Sequence, residues 1–236
     1  MEIDCYLAMT AAEMAQAEPL PPKIAWMSCH FSPYGRGLSN LPDRLPQGSL
    51  LMLTDRTPWW NHDGEWIARQ LAGLLDAHAC AGLLLDFQRP DVPEVAELAG
   101  LLSRQLSCPV GVSELYAGNG NCPVFLPPIP LGMTVSEYLQ PWQGREIWLD
   151  MAPQCCEIRL SANGSTTLPL PYSPPPEASH RDDPLHCRYT VEVCSDRAIF
   201  TLYHTREDLI PLLEEAKGCG VTTAVGLWQE LEESLP

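Results

Sequence analysis

Lysine is the scarcest charged residue in this chain. Only Lys23 and Lys217 occur, and with arginine they make 14 basic residues against 30 acidic ones. The resulting formal charge of −16 argues against nucleic acid and anionic membrane partners, because phosphate contacts need a basic surface. Neither lysine is placed for Schiff-base chemistry. Apolar runs are short, none approaching the roughly 18 residues of a membrane span. No basic segment leads into an apolar core near Glu2 and Asp4, so no export signal is expected. No Cys-x-x-Cys pair exists, and the adjacent Cys155 and Cys156 are poorly spaced for joint zinc ligation. The ten cysteines therefore read as reduced thiols of a cytoplasmic protein, with no metal. The chain also lacks a Gly-x-Ser-x-Gly elbow, a P-loop and a glycine-rich dinucleotide turn, so no cofactor is expected.

What the chain does have is a rhythm of short apolar runs. Residues 81–90 (Ala-Gly-Leu-Leu-Leu-Asp-Phe-Gln-Arg-Pro) turn polar only at their carboxyl end. A run that short and apolar predicts a strand buried on both faces, as in a parallel sheet covered by helices, where ligands bind at the carboxyl ends. Seven further strands are expected, at residues 3–9, 23–29, 49–54, 109–113, 122–126, 146–150 and 222–227. Helices are expected at 11–17, 63–77, 92–106, 135–139 and 207–217. Thr10 with Glu13 gives a capping-box signature for the first of these. Between the second and third strands, the Gly- and Pro-rich residues 35–48 suggest a crossover without a helix.

Residues 155–203 break the alternation. Asn163-Gly164 signals a hairpin between 156–160 and 166–170. Residues 172–184 read as a Pro-rich loop, and 188–194 pair with 198–203. His180 to Cys187 contains metal-ligand residue types without ligand spacing, and reads as solvated loop. Together this predicts a single α/β domain over 1–236, a slightly reduced (β/α)₈ TIM-type barrel with a β-rich insertion at 155–203 before the last unit. A doubly wound open sheet is the alternative.

If the barrel closes, polar residues at several strand ends converge on one mouth. These are His30, Asp55 with Arg56, Asp86, Gln88, Glu114 with Tyr116, Asp150, His204 and Trp228. Asp86 and Gln88 share a strand face by the period of two, either to grip a ligand or to fix loops. Arg89 could pair with Asp55 or Glu114. Trp59 and Trp60 suit sugar stacking, whereas Trp148 inside a strand reads as core.

The central run resembles glycoside hydrolase family 18, the chitinase-like barrels. That family carries Asp-Gly-x-Asp-x-Asp-x-Glu on its fourth strand, and the pattern falls here on Ala81, Gly82, Leu84, Asp86 and Gln88. The ending Val225-Gly226-Leu227-Trp228-Gln229-Glu230 is similar to the family's last strand, whose tryptophan floors the sugar site. Tyr203-His204-Thr205 resembles the approach to it. The resemblance implies a carbohydrate site with Asp86 orienting a substrate acetamide and Trp228 stacking. It also puts Gln88 where the family has its catalytic acid, and an amide cannot protonate a glycosidic oxygen. Loss of a general acid removes about 10²–10⁴ in rate. The expectation is a barrel that binds a small-molecule, oligosaccharide or cell-wall-derived ligand with little hydrolysis, contacted by His30, Asp55, Arg89, Tyr116, Asp150, His204 and Trp228. Two alternatives stay open. One is an active hydrolase whose acid has moved to Glu114 or Asp150, and the other is a non-catalytic protein-interaction barrel. The sequence leaves the oligomeric state open.

Overall fold

The computed structural model describes residues 2–34, 37–58, 63–118 and 121–231. Its strands run, in chain order, β1 (Asp4–Met9), β2 (Ile24–Phe31), β3 (Leu38–Ser39), β4 (Leu50–Thr54), β5 (Gly82–Asp86), β6 (Val110–Ser113), β7 (Val124–Leu126) and β8 (Ile147–Met151). A second set follows, β9 (Gln154–Ser161), β10 (Gly164–Leu170), β11 (His180–Asp182), β12 (Cys187–Val193) and β13 (Arg197–His204), before the last strand, β14 (Val221–Leu227). The helices are α1 (Ala11–Gln16), α2 (Gly64–Ala77), α3 (Pro93–Gln105), α4 (Val135–Leu139), α5 (Arg206–Gly218) and α6 (Trp228–Leu231).

β1, β2, β4, β5, β6, β7, β8 and β14 are parallel neighbours in that order, and β14 returns to pair with β1. The ring is a closed eight-stranded (β/α)₈ barrel, as the sequence predicts, and the open sheet is ruled out. The short β3 hangs antiparallel on the far end of β2.

Strand parity separates two apolar layers. On β5, Leu83 and Leu85 face outward and pack with Ile67 and Leu71 of α2 and Leu98 and Leu102 of α3. Burying each such side chain contributes about 1.5–3 kcal/mol. Leu84 points the other way, into a plug made of Tyr6, Ala8, Ala25, Leu50, Met52, Phe125, Trp148 and Val225. The barrel centre is therefore a packed core, and side chains above the plug form the mouth. Trp148 belongs to this plug, consistent with its reading as core.

The helices start where the sequence signals them. Thr10, Thr134 and Thr205 each close a capping box, with Glu13, Glu137 and Asp208. Two crossovers are thin. Among the described residues no helix joins β2 to β4, and β6 reaches β7 through one 3₁₀ turn at Glu114–Tyr116. No helix among the described residues is long and apolar enough to cross a membrane.

The insertion is an antiparallel sheet in the order β10-β9-β13-β12-β11. Two expectations need correcting. The hairpin turn is Ala162-Asn163, with Ser161 paired to Gly164, so the turn lies one residue earlier than Asn163-Gly164. Gly164 instead opens β10 at φ +126°, where a Cβ would be strained. The expected Pro-rich loop contains a strand, β11, because His180–Asp182 pair with β12. That strand also anchors the insertion. Arg181 Nη1 donates to Oδ1 of Asp208 at 2.8 Å, and Asp208, at 0 % exposure, also accepts from Thr205 Oγ1 at 2.6 Å. His186 Nε2 meets Glu215 Oε2 at 2.7 Å beside it.

Candidate functional site at the barrel mouth

Parity carries the plug upward into the mouth. Leu84 points inward on β5, so Asp86 does too, and Trp148 does the same for Asp150 on β8. Gln88 Nε2 donates to Asp86 Oδ1. Burial, and to a lesser degree Asp55, push the Asp86 carboxyl above its usual range, while the Gln88 bond opposes them. Asp150 is shifted further, to about 7, by burial first and then by the negative charges of Asp86 and Glu230, against a bond from its neighbour's backbone, Met151. The charge of Asp86 thus bears on Asp150.

Asp55 sits beside this pair with both oxygens occupied. It is 4 % exposed and accepts the backbone N–H groups of Gln88 at 3.0 Å and Arg89 at 2.7 Å. Its carboxylate holds the chain as β5 ends, so Asp55 places Gln88. Tyr116 works on the same segment, donating to the carbonyl of Arg89, accepting from Val92 N and packing edge-on against Phe87. The Arg89 guanidinium donates to the carbonyl of Arg56 at 3.1 Å, and no ion pair with Asp55 or Glu114 occurs among the described residues. His30, at the end of β2, has Nδ1 against Phe31 O and Thr57 Oγ1, and accepts from Asn40 through Nε2. Glu114 is exposed on its 3₁₀ turn, and with Asp150 it bears on Tyr138, whose hydroxyl donates to Pro127 O.

Asp55→Ala should strip acceptors from two buried-side N–H groups at once. Each charge-assisted bond contributes about 1.5–3 kcal/mol, so a loss of about 3 kcal/mol in urea denaturation is expected. Asp55→Asn, which keeps one acceptor, should lose less. Equal stability of Asp55→Ala and wild type would show that the carboxylate does not hold the turn.

Two predicted residues lie elsewhere. Trp228 opens α6 half-buried against Met9, Ala17 and Ile24, outside the strands. The cause is parity: Val225 faces in, so Leu227 faces the mouth and position 228 turns out. His204 is 1 % exposed where the insertion meets α5, its Nε2 bonded to Leu185 O at 3.2 Å. Burial lowers its pKa. Trp142 packs against the outer core. Trp59 and Trp60 lie outside the described residues.

No protein family and no curated protein matches the sequence. Solved structures do match. A chitinase-like agglutinin from Robinia pseudoacacia superposes with a TM-score of 0.56 at 10 % identity, covering 95 % of this chain and 94 % of that one. A class V chitinase mutant from Cycas revoluta, in complex with (GlcNAc)3, gives 0.54 at 9 % identity, covering 94 % of each chain. The spore cortex-lytic enzyme SleL of Bacillus cereus gives 0.53 at 9 % identity, covering 95 % of this chain and 70 % of its own. The fold is that of the family 18 chitinase barrels.

One carboxylate near Asp150 was not singled out in the sequence. Glu230 lies two residues into α6, with Oε2 buried and bonded to nothing, and burial raises its pKa. Its position in the helix after β14, rather than at a strand end, is why the strand-end rule did not select it.

Proposed function

We propose that this chitinase-type barrel binds a carbohydrate or cell-wall-derived oligosaccharide in its mouth and hydrolyses it weakly or not at all. One observation carries the reading. The end of β5, where the resemblance puts a catalytic acid, holds Gln88, whose amide is tied to Asp86 and has no proton to give. The neighbours support a sugar ligand, one being a chitinase with (GlcNAc)3 and another a chitinase-like agglutinin. Ten thiols suit a reducing compartment such as the cytoplasm, where the ligand would be a soluble fragment.

Calorimetry with N-acetylglucosamine trimers and tetramers and with muropeptides tests this. Micromolar binding that weakens at least about tenfold in Asp86→Ala is expected, because a charge-assisted bond contributes about 1.5–3 kcal/mol. Gln88→Glu should then gain turnover. Absence of heat with every oligomer would end the carbohydrate reading.

A second reading rests on Asp150. With its pKa near 7, this carboxyl is about half protonated at neutral pH, as a general acid requires. Measurable hydrolysis lost in Asp150→Asn and kept in Gln88→Ala would favour an active enzyme with a relocated acid. Glu114, exposed on its turn, is the lesser candidate.

A further inference from the structure

The ten cysteines are free, and two of them, Cys80 and Cys108, line one cavity of about 310 Å³. It lies at the foot of the barrel, the end away from the mouth. Cys80 follows α2 and leads into β5, and Cys108 follows α3 and leads into β6. Both are half-buried and pack on the same outer apolar layer. Ala72 and Leu75 of α2 and Leu106 beyond α3 line the cavity beside them.

The sheet register brings the two together. Leu83 pairs with Val110, its N–H donates to Pro109 O at 3.0 Å, and a Cβ on Gly82 would lie 2.9 Å from that oxygen. Carried towards the foot, this register sets Gly82 beside Pro109 and Ala81 beside Cys108, with Cys80 next in line. Strands about 4.8 Å apart, rising about 3.3 Å per residue, put the two Cα atoms about 6 Å apart, within the roughly 4.4–6.8 Å that a disulfide spans. Cys122 lines a second cavity with Cys108. Val112 pairs with Val124 and donates to Pro123 O at 3.0 Å, so Cys122 stands beside Val110, two residues up from Cys108. That separation is about 8 Å, beyond the reach of a bridge. Cys156 and Cys187 are kept apart by β13, which lies between their strands.

We infer that Cys80 and Cys108 form a modification site, a dithiol that a small disulfide such as glutathione disulfide converts into a Cys80–Cys108 bridge. The Cys108 thiolate attacks one sulfur of the oxidant, whose S–S bond breaks, and glutathione leaves as a thiolate that takes up a proton. Cys80, deprotonated in turn, attacks the Cys108 sulfur of the mixed disulfide and expels the second glutathione. One S–S bond is lost and one is formed; the protein gives up two hydrogens, and the oxidant gains them as two thiols. Burial raises both protein thiols, Cys80 to about 11 with Cys108 adding to the rise. Exchange is therefore slow at neutral pH and quickens about tenfold per pH unit up to about 9. The bridge encloses β5 and α3 and ties the loop after α2 to the loop after α3, which leaves the unfolded chain fewer conformations.

The test incubates the wild-type protein with glutathione disulfide at about pH 7, 8 and 9, alkylates the remaining thiols and maps the tryptic peptides. The expected product joins peptide 70–104 to peptide 105–145. It should form about tenfold faster per pH unit and melt about 5 °C or more above the reduced protein. Dithiothreitol should reverse the link and the shift in Tm. Cys80→Ser should stop at a mixed disulfide of Cys108 with glutathione, which captures the intermediate, and Cys122→Ser should keep the link. Wild-type protein in which Cys80 and Cys108 stay reduced, or each carry a separate glutathione, would overturn the inference. So would a link lost in Cys122→Ser, or one that lowers the Tm, since the loops would then have to distort to form it.

Discussion

Replacing Gly111 by alanine is expected to destabilise this protein by about 3 kcal/mol or more, out of the roughly 5–15 kcal/mol that a native domain has. Gly111 lies on β6 facing the barrel interior, and an added Cβ would fall 2.3 Å from Cε3 and 2.7 Å from Cζ3 of Trp148. Its backbone makes no demand for glycine; the space does. Trp148 is 3 % exposed and its Nε1 donates to Glu146 Oε1 at 3.2 Å, so the ring is confined on its plane and tethered at its edge. Gly82 on β5 makes room for the same ring, with its hypothetical Cβ 3.2 Å from Cη2. A methyl at 111 must displace a large aromatic group from a packed layer, and Tm should fall by about 6–12 °C. Trp148→Leu alone leaves a cavity and costs stability as well. In the double variant the alanine fills part of that cavity, so the two costs should add to less than their sum. Gly111→Ala melting with wild type would mean that Trp148 does not fill the interior as described.

The same pair of residues marks what the sequence could and could not reveal. All eight barrel strands were legible because each is a short apolar run with turn chemistry on both sides. A parallel strand buried on two faces has no other way to look. Asp86 and Asp150 were legible as mouth residues, since period two fixes direction once one inward neighbour is known. Trp228 was not, because counting parity across a strand end needs the preceding inward residue, Val225, and the resemblance had suggested the opposite side. Asp55 was read as a ligand contact for a similar reason. A strand-end carboxylate looks alike whether its oxygens face solvent or the N–H groups of Gln88 and Arg89, residues 33 and 34 positions away. β11 was hidden by the prolines around it, since three residues pairing at a sheet edge carry little periodicity. Where the hydroxyls of Ser113, Thr54 and Tyr138 send their protons is recorded by no pattern of residue types.

The mouth should also announce itself in the pH dependence of folding. Asp150 has a native pKa of about 7, against about 3.9 for an aspartate in an unfolded chain. Between those values the native state holds a proton that the unfolded chain has released. Raising the pH from 4 to 7 therefore favours unfolding, and the charged carboxylate remains a cost above 7. Over three pH units the limit is about 4 kcal/mol. Asp150→Asn keeps the shape and cannot ionise. It should match wild type near pH 4 and exceed it at pH 8 by up to that amount, a Tm gain on the order of 10 °C. Burial is the first cause of the shift and Asp86 the second, so Asp86→Asn should recover only the smaller part of the gain. Parallel stability profiles for wild type and Asp150→Asn would show that Asp150 titrates as an ordinary surface carboxyl, and the relocated-acid reading would go with it. A profile with the expected slope means the fold tolerates at its mouth a carboxylate that weakens it throughout the neutral range. Such a group is a local energetic cost, of the kind that clusters at functional sites.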